Sequence, residues 1–160
     1  MFRLQESLME FGAVFWVDIK VRFQSQIHPD LKKHVLQYGL AAWTRDSLPT
    51  SANTHSVMFK YFNKSRQIFQ SQPMVQPVPG LYVNIELLHR IMGLWISCAL
   101  EENCISPVGA RNSLCTNSES NRLIATCHQY ATSAFNIALE NIFSNSTIYI
   151  PKWKPFTMAS

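Results

Sequence analysis

Asp18, Lys20 and Arg22 follow directly on an uncharged run, Ala13-Val14-Phe15-Trp16-Val17. A carboxylate delivered to the carboxyl edge of a sheet can hold a hard divalent cation that bridges to phosphates. Asp18 can equally cap a turn or pair with Arg22. Lys20 stands where a second carboxylate would make a stronger metal site. An ammonium there opposes a metal but can itself face a phosphate. Arg22 can do the same with its fork of donors. Both can also be solvated surface charges. Asp18, Lys20 and Arg22 are therefore the candidate cofactor-binding residues, and no catalytic residue is assigned. His128 follows Cys127 and precedes a helix. It joins Asp18 as a candidate metal ligand, although a lone histidine is more often structural. His28, His34, His55 and His89 have no sequence partner that lifts them above that role.

Four cysteines, Cys98, Cys104, Cys115 and Cys127, lie within thirty residues. Their spacings lack the C-x2-C pair of a structural zinc site. The clustering suits one or two local disulfides and a secretory-pathway lumen; four free buried thiols are the alternative. The sequons at Asn63 and Asn145 agree with a luminal location, though sequons also arise by chance.

These residues need elements to position them. Residues 2–10 carry the apolar spacing of an amphipathic helix, and Gly12 fits its stop. The run 13–17 lacks alternation, as expected of a strand covered on both faces. A short helix is predicted from His28-Pro29-Asp30 to Gln37, closed by Gly39, with a second buried strand at Leu40–Trp43. A polar loop spans 45–53, and a helix follows near 54–62. The Gln- and Pro-rich stretch 67–80 reads as extended linker or edge strand. Leu81-Tyr82-Val83 is a third strand, and Asn84 is placed to cap a helix reaching Leu100. Residues 101–122 read as an irregular loop, and 132–143 as a helix with a broad apolar face. Residues 1–150 are expected to form a single α/β domain, an incomplete one on the expectation that a strand should precede the first helix. Residues 151–160 are a tail.

Composition closes off several classes. The chain has 160 residues, 47% hydrophobic and 15% charged, which provides for a core rather than disorder. Its net charge of +4 is scattered, with no run beyond Lys32-Lys33. That argues against nucleic acid as a partner, because such binders concentrate charge on one face. The run Ile91–Leu100 is half the length of a membrane span, and Glu6 and Glu10 interrupt any signal-peptide core. There is no Gly-rich phosphate loop, no G-x-S-x-G elbow and no H-E-x-x-H motif.

Ordered motifs resemble a poorly characterised group of invertebrate glycosyltransferase-like proteins. Phe11-Gly12-Ala13-Val14-Phe15-Trp16-Val17-Asp18 and Val21-Arg22-Phe23 begin the set. Tyr38-Gly39-Leu40-Ala41-Ala42-Trp43 and Pro49 to His55, then Met58 to Phe62, continue it in order. Cys98-Ala99-Leu100, Cys104-Ile105, Pro107-Val108-Gly109-Ala110, Cys127-His128-Gln129-Tyr130 and Ser133 to Ile137 complete it.

The resemblance implies part of a nucleotide-diphospho-sugar transferase-like domain of the A type, with a central, mostly parallel sheet flanked by helices. It implies a Golgi or other secretory-pathway lumen, a nucleotide-sugar donor and a glycan or protein acceptor. It also implies a manganese or magnesium ion held by the residue at the position of Asp18. Where the family tends to read Tyr-Asp-Gln-Ser, this chain reads Tyr130-Ala131-Thr132-Ser133. The acid that would orient an acceptor or act as base is a methyl group here. The alternative expectations are a catalytically inactive luminal glycan- or protein-binding relative, or an N-terminally truncated gene product. Of three possible disulfide pairings, Cys98–Cys104 with Cys115–Cys127 is expected.

Overall fold

Gly12 and Gly39 each end a helix and release a strand. Both have the left-handed backbone, φ 73° and 82°, that an L side chain disfavours. Their amides donate back into the preceding helix, Gly12 to Leu8 at 2.9 Å and Gly39 to Val35 at 2.8 Å. The computed structural model describes residues 2–23, 27–111 and 128–158. It contains α1 (Phe2–Phe11), β1 (Ala13–Trp16), β2 (Val21–Phe23), α2 (Pro29–Tyr38) and β3 (Leu40–Pro49). Then come α3 (Ser56–Tyr61), β4 (Pro73–Val83), α4 (Glu86–Ala99), α5 (Glu102–Ile105), α6 (Tyr130–Phe143) and β5 (Phe156–Met158).

The two helix–glycine–strand units flank one central strand. The order is β1-β4-β3, and both pairs are antiparallel. β1 and β3 therefore run parallel to each other, as a βαβ-like reading expects, but β4 lies between them reversed. The described sheets are antiparallel throughout, where a mostly parallel sheet was expected. The cause is long-range: the strand at 80–83 bonds to both units, with Val83 donating to Gly39 and Asn84 to Gly12.

Both faces of this sheet are covered, which explains the missing alternation in 13–17. Leu40, Ala42 and Tyr82 join the larger core with Leu4, Leu8, Ile91, Trp95 and Phe135, under α1, α4 and α6. Ala41, Trp43 and Leu81 face the other way, against Leu31 and Val35 of α2 and Phe156 of β5. The outer edge of β3 is met at Ala42, whose amide donates to Tyr149. The buried amide of Asn136 extends β4 sideways, accepting from Val75 N–H at 2.9 Å and donating to its carbonyl at 2.8 Å.

The proline-rich stretch behaves as linker and edge only in part. Residues 66–70 form a 3-10 turn, and β4 then runs from Pro73. Ala42 pairs with Gly80, yet Trp43 pairs with Gln76, so Pro77, Val78 and Pro79 bulge out of the ladder. β1 has already ended opposite Gly80. The prolines thus occupy the part of β4 that has lost one neighbour, where a missing donor costs little. Asn84 is not the helix cap expected: Ile85 precedes Glu86, and the Asn84 amide bonds to Leu8 O at 3.2 Å. The stretch expected to be a tail is structural. β5 pairs with β2, Phe156 is 2% exposed, and Trp153 stacks on His28.

Candidate functional site

Where β1 ends and β4 bulges, the sheet opens into a cleft of about 520 Å³. Four stretches of the chain build it. Asp18 and Lys20 come from the turn after β1, and Val78 and Pro79 form a rim from the bulge. Thr44 and Gln76 are the polar groups of the β3–β4 ladder beyond it. Lys154, Phe156 and Met158 come from the C-terminal segment, and Trp43 lies against Phe156 edge-on, with ring centroids 5.0 Å apart. The Trp43 indole N–H donates to Trp153 O at 3.2 Å. This floor is therefore fixed by edge-to-face packing and by a hydrogen bond to the same segment that supplies Lys154.

The charges are unequal. Asp18 is the one carboxylate among the described lining residues, against the ammonium groups of Lys20 and Lys154. Its Oδ1 accepts the backbone N–H of Lys20 at 3.0 Å, an Asx-type turn. The turn-capping role thus coexists with a place in the cleft. The Lys154 ammonium stands 4.9 Å over the Phe156 ring, a cation–π arrangement. Gln76 reaches the start of α6, donating to Gln129 at 3.5 Å.

The other predicted residues lie elsewhere. Arg22 is outside the cleft lining, and its guanidinium donates to Ile19 O at 2.9 Å and Val21 O at 3.3 Å. It clamps the turn that presents Asp18 and Lys20. His128 is buried away from the cleft lining, bridging two backbone segments. Its Nδ1 accepts from His55 N–H at 3.2 Å, and its Nε2 lies 3.0 Å from Ile105 O. Those partners require a neutral ring protonated on Nε2, which leaves neither nitrogen open to a metal shared with Asp18. Burial, foremost, pulls its pKa down to about 4; the Ile105 bond opposes this and nearby His55 adds to it. Among the described residues no three His, Cys, Asp or Glu side chains gather in a metal-sized group.

No protein-family model, curated protein or solved structure matches this chain.

Cys98 and Cys104 form a disulfide between α4 and α5, the pairing expected for these two. Cys115 and Cys127 lie outside the described residues. Asn63 and Asn145 are exposed, Asn63 just after α3 with φ 52° and Asn145 capping a 3-10 turn. Among the described residues no helix is long and apolar enough to cross a membrane. Sequence reasoning missed Lys154, Trp43 and Gln76. The alternation Lys152-Trp153-Lys154-Pro155-Phe156 was the available signal for the first: cations interleaved with aromatic rings suit an anionic ligand with a flat face.

Proposed function

We propose that the cleft beside Asp18 is a nucleotide-diphospho-sugar site, and that the chain is a glycosyltransferase-like protein of the secretory pathway. The observation that carries this reading is the meeting of Asp18, Lys20 and Lys154 on the floor made by Trp43 and Phe156. Ammonium groups suit a diphosphate. About 520 Å³ is ample for such a ligand. The disulfide Cys98–Cys104 supports an oxidising lumen such as the Golgi. A glycan or protein would be the acceptor.

A specific observation favours the inactive, ligand-binding relative as the second reading. Ala131 is half-buried in the larger core, its carbonyl taking the Trp95 indole N–H at 2.7 Å, and it does not line the cleft. Asp18 is then the one candidate base among the described lining residues, with one oxygen already held by Lys20 N–H.

Titration calorimetry with UDP- and GDP-sugars, followed by a nucleotide-release assay with mixed glycan and protein acceptors, separates the readings. Binding with release supports the transferase. Binding of a glycan or protein acceptor without nucleotide release supports the inactive relative. Absence of binding to every nucleotide sugar overturns the transferase reading of this cleft, and absence of glycan and protein binding as well overturns the second.

A further inference from the structure

Resting on the nucleotide-sugar reading, we infer that the cleft holds the diphosphate with the ammonium groups of Lys20 and Lys154, with no divalent cation between protein and phosphate. A magnesium- or manganese-type ion favours several oxygen ligands, commonly including more than one carboxylate when the protein holds it. The described lining supplies one carboxylate, Asp18, whose Oδ1 already accepts Lys20 N–H at 3.0 Å. The remaining neutral oxygens there, from Thr44 and Gln76, carry no compensating charge. Two cations line the same cleft, and each would repel a metal. His128, the other candidate ligand, is engaged at both nitrogens away from the cleft.

The same groups suit a dianion directly. Lys20 is presented by a turn fixed twice, by Asp18 Oδ1 from within and by Arg22 donating to Ile19 O. Lys154 is carried between Trp153, stacked on His28, and Phe156, buried in the floor. The two lysines come from opposite ends of the sequence, one just before β2 and one just before its antiparallel partner β5, and both line the one cleft. Asp18 then serves to orient the Lys20 turn.

Calorimetry with UDP and GDP tests this, first in excess EDTA and then in excess manganese. The expected result is affinity unchanged within about threefold between the two conditions. Lys20→Ala and Lys154→Ala are each expected to weaken binding about tenfold, the scale of one charge-assisted contact. Lys60→Ala, an exposed lysine of α3 outside the cleft lining, is expected to leave it unchanged. Binding that requires manganese, disappears in Asp18→Asn and ignores both lysine variants would overturn the inference while leaving the nucleotide reading standing. Failure of either nucleotide to bind under both conditions overturns the nucleotide reading and the inference with it. Thermal melts within a few degrees of the parent certify that each variant is folded.

Discussion

The hydroxyl of Tyr82 donates to the carbonyl oxygen of Pro77 at 2.6 Å, tying the start of the β4 bulge to the strand that resumes beyond it. Burial pushes the phenol's pKa well above its usual value, so it remains a donor at any physiological pH. Gly80 lies beneath this bond. A Cβ there would meet the Tyr82 hydroxyl at 2.5 Å and Pro77 O at 2.7 Å. The rim of the cleft therefore depends on a tyrosine that reaches back and on a glycine that leaves it room.

Tyr82→Phe should cost about 1–2 kcal/mol in urea unfolding, since it orphans a carbonyl at a packed site. Gly80→Ala should cost about 1–3 kcal/mol, because the clash is with backbone and an anchored hydroxyl. Gly93→Ala is the contrast. Gly93 is exposed within α4 with nothing near its absent Cβ, so alanine there should stabilise by about 0.5–1 kcal/mol. Equal effects at Gly80 and Gly93 would contradict the pinned bulge.

Stability should fall as pH drops from about 6.5 towards about 4. His128 is held neutral in the folded chain, with its pKa near 4, while the unfolded ring protonates below its ordinary value of 6.5. The unfolded state thus binds more protons across that window. The stabilisation is complete above pH 6.5 and is lost on acidification, on the order of 2–3 kcal/mol. Burial lowers His34 and His55 in the same direction. His128→Gln should be less stable at pH 7 and show a shallower slope in urea titrations between pH 4 and pH 7. An unchanged slope would remove His128 as its cause.

Disulfide Cys98–Cys104 closes a short loop of sequence separation 6, for which chain entropy suggests about 2 kcal/mol. Both cysteines are fully buried, so reduction should require the α4–α5 corner to open. Non-reducing peptide mapping should recover the 98–104 link. The double variant Cys98→Ala/Cys104→Ala should unfold at correspondingly lower urea. Rapid alkylation of both thiols in native protein without reductant would refute the bond.

Phe156→Ala should cost about 3–5 kcal/mol, as expected for a large ring removed from a core. It would strip the partner of Trp43 and of Phe15 together. Met158→Ala, half-exposed at the same strand, should stay within about 0.5 kcal/mol. Removing everything after Ile150 should cost more than Phe156→Ala, since β5 and the Trp153 stack on His28 go too. Truncated protein of unchanged stability would restore the tail interpretation.

What the sequence determined by itself was local. Two helix–glycine–strand units were legible because a left-handed stop and an apolar period are written within a few residues. The helices at 86–99 and 130–143, and Asp18 with Lys20 just beyond a strand end, were legible for the same reason, whereas the strand expected to be buried at 13–17 is only half-buried, with Ala13 exposed. Tertiary structure decided the rest. Whether β1 and β3 pair with each other or receive β4 between them turns on contacts about seventy and forty residues apart, to which no local pattern points. The role of His128 rests on the backbones of His55 and Ile105, and that of Asn136 on Val75. Lys154 comes to the cleft from a segment that returns to the sheet region through β2–β5 pairing, so the second lysine of the lining could be found only in the folded chain.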